Sequence, residues 1–314
     1  MIAPPTPYRD ARIRLRDGRR LAFAEFGDPD GRTVFWFHGT PGARWQIPPD
    51  APSAARARGF RIVGVDRPGI GGSSHHSTRT LLTWADDIAE LADQLGARRF
   101  ATIGLSGGGP YVLSCAHELP DRVAVGVSLG GVGPTDGSDG APGYGPKMSA
   151  ALRSVWPVRG PLGTLLSMIV QPIRPFVSPG FDLYVMYGPQ EDRRVFERPE
   201  MKEMFSADIV MATRYGLRGP VYDLALFGRP WGFSPRDIRV PIRIWHGDAD
   251  TIVPISHSEH LASVLPDAEM HVSPGLGHFA GFCNMPAVLD AIRDVWPAEA
   301  QGDQRAVARS LPAM

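Results

Sequence analysis

Lysine is nearly missing from this 314-residue chain. Only Lys147 and Lys202 are present, and arginine carries almost all of the positive charge. The 33 basic residues balance 33 acidic ones, so no basic footprint points to nucleic acid or an anionic membrane as a partner. Cysteine is equally scarce. Cys115 and Cys283 are too few for a disulfide framework or a metal-ligand cluster, and both read as inert buried thiols. No apolar run reaches the roughly 18 residues of a membrane span. The opening MIAPPTPYRD lacks the basic segment and apolar core of a secretory signal. These absences point to a cytoplasmic protein with no nucleic-acid partner, no membrane span and no metal. Residues 1–9 and 299–314, rich in proline or in small polar residues, read as disordered tails.

Hydrophobic and charged shares of 43% and 21% are those of an ordinary globular protein. Apolar residues alternate with polar ones on both sides of Asp17-Gly18, a hairpin signal. Short buried-strand runs follow at 33–37, 60–66, 100–105 and 123–131. Helical patterns separate them, at 43–59, 82–96 and 108–119. This alternation predicts an α/β fold, with a mostly parallel twisted sheet covered by helices on both faces. The rhythm breaks between 134 and 235, where proline and glycine accumulate among helical patches, and it resumes at VPIRIWHGDAD. The expected organisation is a core of 10–133 plus 236–298, interrupted by a mainly helical insertion at 134–235.

Two stretches fit Gly-x-Ser-x-Gly: GLSGG at 104–108 and GVSLG at 126–130. In a parallel sheet, reactive groups gather at the carboxyl ends of strands. Ser106 follows the strand FATIGL at once and a helical run follows it. Such a helix start aims backbone N–H groups at whatever forms on the serine, and Gly107 can offer its N–H freely. Ser128 lies within or at the end of the next strand and is followed by a loop, which suits a small residue at a tight approach. A serine needs a base, and the base an orienting acid. His278 lies in a glycine-rich loop past the last strand run. Asp248 and Asp250 both lie past the strand VPIRIW. The order Ser…Asp…His, each after a strand end, is that of one known nucleophile-elbow arrangement.

The motifs HGTPG (38–42), DRPGIGGSS (66–74), GLSGGGP (104–110), HGDADTIVP (246–254) and GLGHF (275–279), in that order, carry a resemblance. The chain resembles the α/β-hydrolases, of the serine esterase and lipase-like kind with an inserted cap. The resemblance implies Ser106 as nucleophile, His278 as base and Asp250, rather than Asp248, as acid. It also implies the N–H groups of Thr40 and Gly107 as oxyanion donors, His38 as a brace for its loop, and a structural role for DRPGIG. It implies no cofactor. The apolar stretch 160–177 is expected to turn toward the core and roof a substrate pocket, with Leu166 and Ile169 touching substrate. The reaction expected is hydrolysis of small to medium acyl esters through an acyl-enzyme. The alternatives are lactone, thioester, amide or carbon–carbon hydrolysis or perhydrolysis on the same triad, or a small-molecule receptor that uses the triad pocket.

Overall fold

The computed structural model describes residues 5–137, 139–143, 146–176, 182 and 189–296. Eight strands form one sheet in the order β1-β2-β4-β3-β5-β6-β7-β8. They are β1 (Arg9–Arg14), β2 (Arg20–Gly27), β3 (Arg32–Phe37), β4 (Phe60–Val65), β5 (Phe100–Leu105), β6 (Val123–Leu129), β7 (Ile242–Gly247) and β8 (Ala268–Ser273). β1 pairs antiparallel with β2, and β2 antiparallel with β4; from β4 to β8 all neighbours are parallel. The α/β expectation holds.

Side chains along a strand alternate between faces, and here both faces are covered. In β3, Phe35 and Phe37 join a core that includes Ile88 and Leu91 of α2 (Leu82–Gln94) and Leu113 of α3 (Gly109–Glu118). Val34 and Trp36 face the opposite way. They pack with Ala54 and Ala55 of α1 (Ala51–Ala57) and with a helix at Met285–Val295. This explains why TVFWF is apolar at every position but its first. The amino-terminal residues depart from the tail expectation. Tyr8 donates its hydroxyl to Glu25 and its N–H to the Glu25 carbonyl, and Arg9 already opens β1. The expected tail at 299–314 lies outside the described residues.

Between β6 and β7 no strand occurs among the described residues. The chain runs through α4 (Pro146–Ile173), α5 (Gln190–Phe196), α6 (Pro199–Ala212) and α7 (Arg218–Phe227). Beyond β7 lie α8 (Ser256–Val264) and α9 (Met285–Val295). Phe196, Met201, Met204 and Phe205 are buried and join Phe279 and Phe282 of the core, so α5 and α6 pack down onto the sheet layer. α4 behaves differently. Its small residues meet α7 and the turn before it: Gly163 lies on Arg218, and the Ser167 hydroxyl oxygen accepts the backbone N–H of Leu217 at 2.7 Å. A helix apolar all round but packed along one face must leave the rest in water. Met168 and Ile169 are accordingly 64% and 55% exposed, and Phe176, in the turn beyond the helix, is 65% exposed, against the expectation that the stretch turns inward. Val177, at the end of that stretch, lies outside the described residues. Burial pushes the Cys115 thiol far up and Cys283 to about 11, consistent with inert thiols.

Candidate active site

Ser106 stands at the carboxyl end of β5, where a 3-10 turn (Ser106–Gly108) leads into α3. Its φ is +53°, and among the described residues it is the one non-glycine with positive φ. A side chain in that region costs about 1–3 kcal/mol and persists where the surroundings over-determine it. The surroundings here are backbone. A Cβ on Gly104 would come within 2.4 Å of the Gly108 carbonyl oxygen, and one on Gly108 within 2.2 Å of the Phe37 carbonyl oxygen. The two glycines of the motif therefore allow the strand and helix to fold back on each other with the serine at the apex. Ser128 has none of this. It lies inside β6 in register with Gly104, buried, and its hydroxyl sits against Gly109 and Gly131.

The loop after β7 holds both aspartates. Asp248 Oδ1 accepts the backbone N–H of Gly275 at 2.6 Å, tying the β7 loop to the β8 loop. Asp250 turns inward. Its Oδ1 accepts the N–H groups of Ile252 and Val253, at 2.7 and 2.9 Å, and its Oδ2 lies 2.6 Å from His278 Nδ1. With Nδ1 donating to a carboxylate, His278 Nε2 is left as the acceptor. His246, which the sequence reading did not single out, completes the arrangement. Its Nε2 lies 2.9 Å from the Val253 carbonyl and 3.1 Å from Asp250 Oδ2, while Nδ1 meets the Ser258 hydroxyl at 2.6 Å. Burial opposes the charge on Asp250. The hydrogen bonds from His246, His278 and the backbone outweigh it and hold the carboxyl below the usual range. His246 was legible only as the first residue of HGDAD. Gly130, directly after β6, leaves room for the imidazole, because a Cβ there would lie 3.3 Å from His278 Nδ1.

The HGTPG loop runs beside the elbow. Gly39 donates its N–H to Gln46 Oε1, and a Cβ on Gly107 would meet Thr40 Oγ1 at 2.5 Å, so Thr40 and Gly107 lie side by side. His38 is fully buried, with Nδ1 donating to the Gly39 carbonyl at 2.8 Å. Burial, together with the Arg67 charge, pushes its pKa well down, so it stays an uncharged brace. Arg67 is the keystone. Its guanidinium donates to the carbonyls of His38 and Gly39 and to Thr40 Oγ1. Asp223 of α7 receives Arg67 Nε at 2.9 Å, Arg79 Nη2 at 2.8 Å and the Tyr111 hydroxyl at 2.8 Å. All four side chains are buried. Removing one partner of such a pair strands a buried charge, at about 3–5 kcal/mol. Asp223→Asn is therefore expected to lower the thermal unfolding midpoint by several degrees. An unchanged midpoint would show that the buried arginines do not depend on this carboxylate.

Ser106 and His278 line one cavity of about 570 Å³, together with Thr40, Leu105 and Phe279 of the core. Phe196, Phe205 and Ile209 of α5 and α6 add to the wall, as do Val170, Ile173, Arg174 and Phe176. Leu166 and Ile169 do not line it. The 160–176 stretch reaches the cavity only in its last turn and the 3-10 turn beyond (Arg174–Phe176). Among the described residues no group of His, Cys, Asp or Glu is placed to hold a metal ion, and no helix is long and apolar enough to cross a membrane.

A serine on a strained strand-to-helix turn thus faces one cavity with an Asp-bound histidine, on an eight-stranded, mostly parallel sheet. The family model described as "alpha/beta hydrolase fold" matches residues 32–284, and the chain belongs to that family. The chain is 31% identical over 138 residues to the proline iminopeptidase of Arabidopsis thaliana, a match covering 42% of this chain and 35% of that protein. It is 27% identical over 285 residues to the non-heme haloperoxidase of Rhodococcus erythropolis, covering 88% of this chain and 94% of the relative. Among solved structures, a thermophilic esterase from Thermogutta terrifontis superposes with a TM-score of 0.65 at 22% identity, over 92% of this chain and all of that one.

Proposed function

We propose that this hydrolase is a serine carboxylesterase acting on small to medium acyl esters. One observation carries the reading: Ser106 and the Asp250-bound His278 face the same largely apolar cavity. In this mechanism His278 Nε2 takes the proton of Ser106 Oγ as the oxygen attacks the ester carbonyl. The N–H groups of Thr40 and Gly107 hold the oxyanion, and His278 returns the proton to the departing alcohol. The acyl-enzyme then adds water, whose proton passes through His278, and the acid leaves. Residues 134–235 serve as the cap over a core of 10–133 and 236–298. Val170, Ile173 and Phe176 supply its apolar contacts in place of Leu166 and Ile169.

Among the described residues no carboxylate lines the cavity, so a substrate ammonium group would find no counter-charge from them there. This favours esters over substrates with a free amine. Each methylene buried in such a wall contributes about 0.8 kcal/mol, roughly fourfold in kcat/KM. On p-nitrophenyl esters, kcat/KM is expected to rise from acetate to butyrate or hexanoate and then level off. Acetate as the best substrate, or a preference for an amino-acyl amide over all esters, would overturn the reading.

A further inference from the structure

Arg174 is out of place in the cavity wall. Among the described residues, the other groups that line it with Ser106 and His278 are aliphatic, aromatic, backbone or neutral amide and hydroxyl groups, and Arg174 is the one permanent charge. An arginine beside apolar surface normally has a carboxylate partner or extends into water. Arg174 is half-buried and its polar contacts are neutral. Nη2 donates to the Val210 carbonyl in the last turn of α6, at 2.7 Å, and Nη1 reaches Gln171 Oε1 at 3.4 Å. Nε is buried and has no acceptor among the described residues. Among the described residues the guanidinium's partners are thus an amide and a carbonyl, not a carboxylate. The sequence that follows, 177–188, contains a single acidic residue, Asp182, and that residue pairs with Lys202. The two contacts to α4 and α6 hold the planar head in place at the cavity, with donors left over.

From this we propose that Arg174 is a specificity residue that binds a carboxylate carried by the substrate, so that the preferred esters are half-esters of dicarboxylic acids. The proposal rests on the esterase reading and names its substrate class. A guanidinium presents paired N–H groups that match a carboxylate, and such charge-assisted bonds are about twice as strong as neutral ones. The apolar side chains that line the same cavity suit a methylene chain that joins the scissile ester to a second carboxylate. The Val210 carbonyl and the Gln171 amide satisfy part of the guanidinium but not its charge. Binding the anion supplies the counter-charge that the half-buried guanidinium lacks among the described residues.

The test compares p-nitrophenyl half-esters of adipic, pimelic and suberic acid with the matching diesters whose far carboxyl is methylated. These chains are long enough to keep the carboxylate from attacking its own ester. For at least one length the half-ester should exceed its methylated counterpart in kcat/KM by about tenfold or more, mainly through KM. That ratio should fall to near one or below in Arg174→Gln and weaken above about 0.5 M salt. A methylated diester favoured at every length, or a ratio unchanged in Arg174→Gln, overturns the proposal. A binding arm separates this from the esterase reading. Monomethyl adipate titrated calorimetrically into Ser106→Ala should bind at least tenfold more tightly than into Ser106→Ala/Arg174→Gln. If no ester is turned over by the unaltered protein yet this difference appears, the anion site stands and the reaction is wrong. Equal affinities, or no binding in either protein, overturn the anion site whatever the kinetics show.

Discussion

Ser106→Ala is expected to lose ester hydrolysis by about a thousandfold or more, whereas Ser128→Ala stays within about tenfold of the unaltered protein. Both serines sit in the same short motif, and the difference comes from what surrounds them. Ser106 is held at φ +53° on a turn facing a cavity that also receives His278. Ser128 is buried in β6, its hydroxyl enclosed by Gly109 and Gly131, with no path to a substrate. Replacing the Ser106 hydroxymethyl by methyl leaves the elbow backbone as it is, so the protein should fold and bind ester while the bond-forming atom is gone. A residual rate from oxyanion stabilisation and binding alone is expected, as for other triads. A fluorophosphonate should add its phosphorus to Ser106 alone. Mass-spectrometric label on Ser128, or full activity in Ser106→Ala, would refute the assignment.

Exchanging carboxylate for amide at the two aspartates should give very unequal losses. Asp250→Asn is expected to lower kcat by about three to four orders of magnitude, and Asp248→Asn by less than about tenfold. Asp250 Oδ2 accepts from His278 Nδ1, which leaves Nε2 unprotonated for the serine proton. An amide in its place can present its NH2 group to Nδ1, favouring the other tautomer, and it cannot stabilise the imidazolium that forms. Asp248 only ties the Gly275 N–H, an exposed turn contact. The pH profile adds a second reading. The hydrogen bonds to Asp250 hold its carboxyl below the usual range, so its contribution is complete above the pKa of a free carboxylate. It is lost only as pH falls through the depressed value. The carboxylate stays ionised between pH 7 and 5, so any loss of activity there should not come from Asp250, and Asp250→Asn should show a low rate throughout that range. The opposite ranking of the two variants would place the acid at Asp248.

Local sequence carried far into the fold. The hairpin at Asp17-Gly18, the βαβ rhythm and the helix stops at Gly59 and Gly96 all appear where the pattern puts them, with Gly18, Gly59 and Gly96 at positive φ. These features depend on residues a few positions apart, and hydrophobic period and turn chemistry report them directly. The elbow was legible for the same reason. Its glycines are required by clashes between a strand end and the helix that follows it.

The insertion was less legible. Sequence showed that 160–177 is apolar almost all round, and from that an inward orientation followed. The direction a helix face takes is set by its neighbour, and the small residues Gly163 and Ser167 seat α4 on the chain around Arg218 and Leu217. The cavity is met only from Val170 onward.

By itself, the sequence determined the fold class, the order of elements and a short list of candidate site residues. Only the tertiary structure decided how those residues pair. It puts Asp250 rather than Asp248 on His278, 28 positions away, and carries Asp223 across 156 positions to Arg67 behind the HGTPG loop. It also places Arg174 in a largely apolar wall with a carbonyl and an amide, and no carboxylate among the described residues, as its partners. Such pairings have no local signature, because the free energy of a buried charge depends on what the folded chain brings within about 3 Å of it.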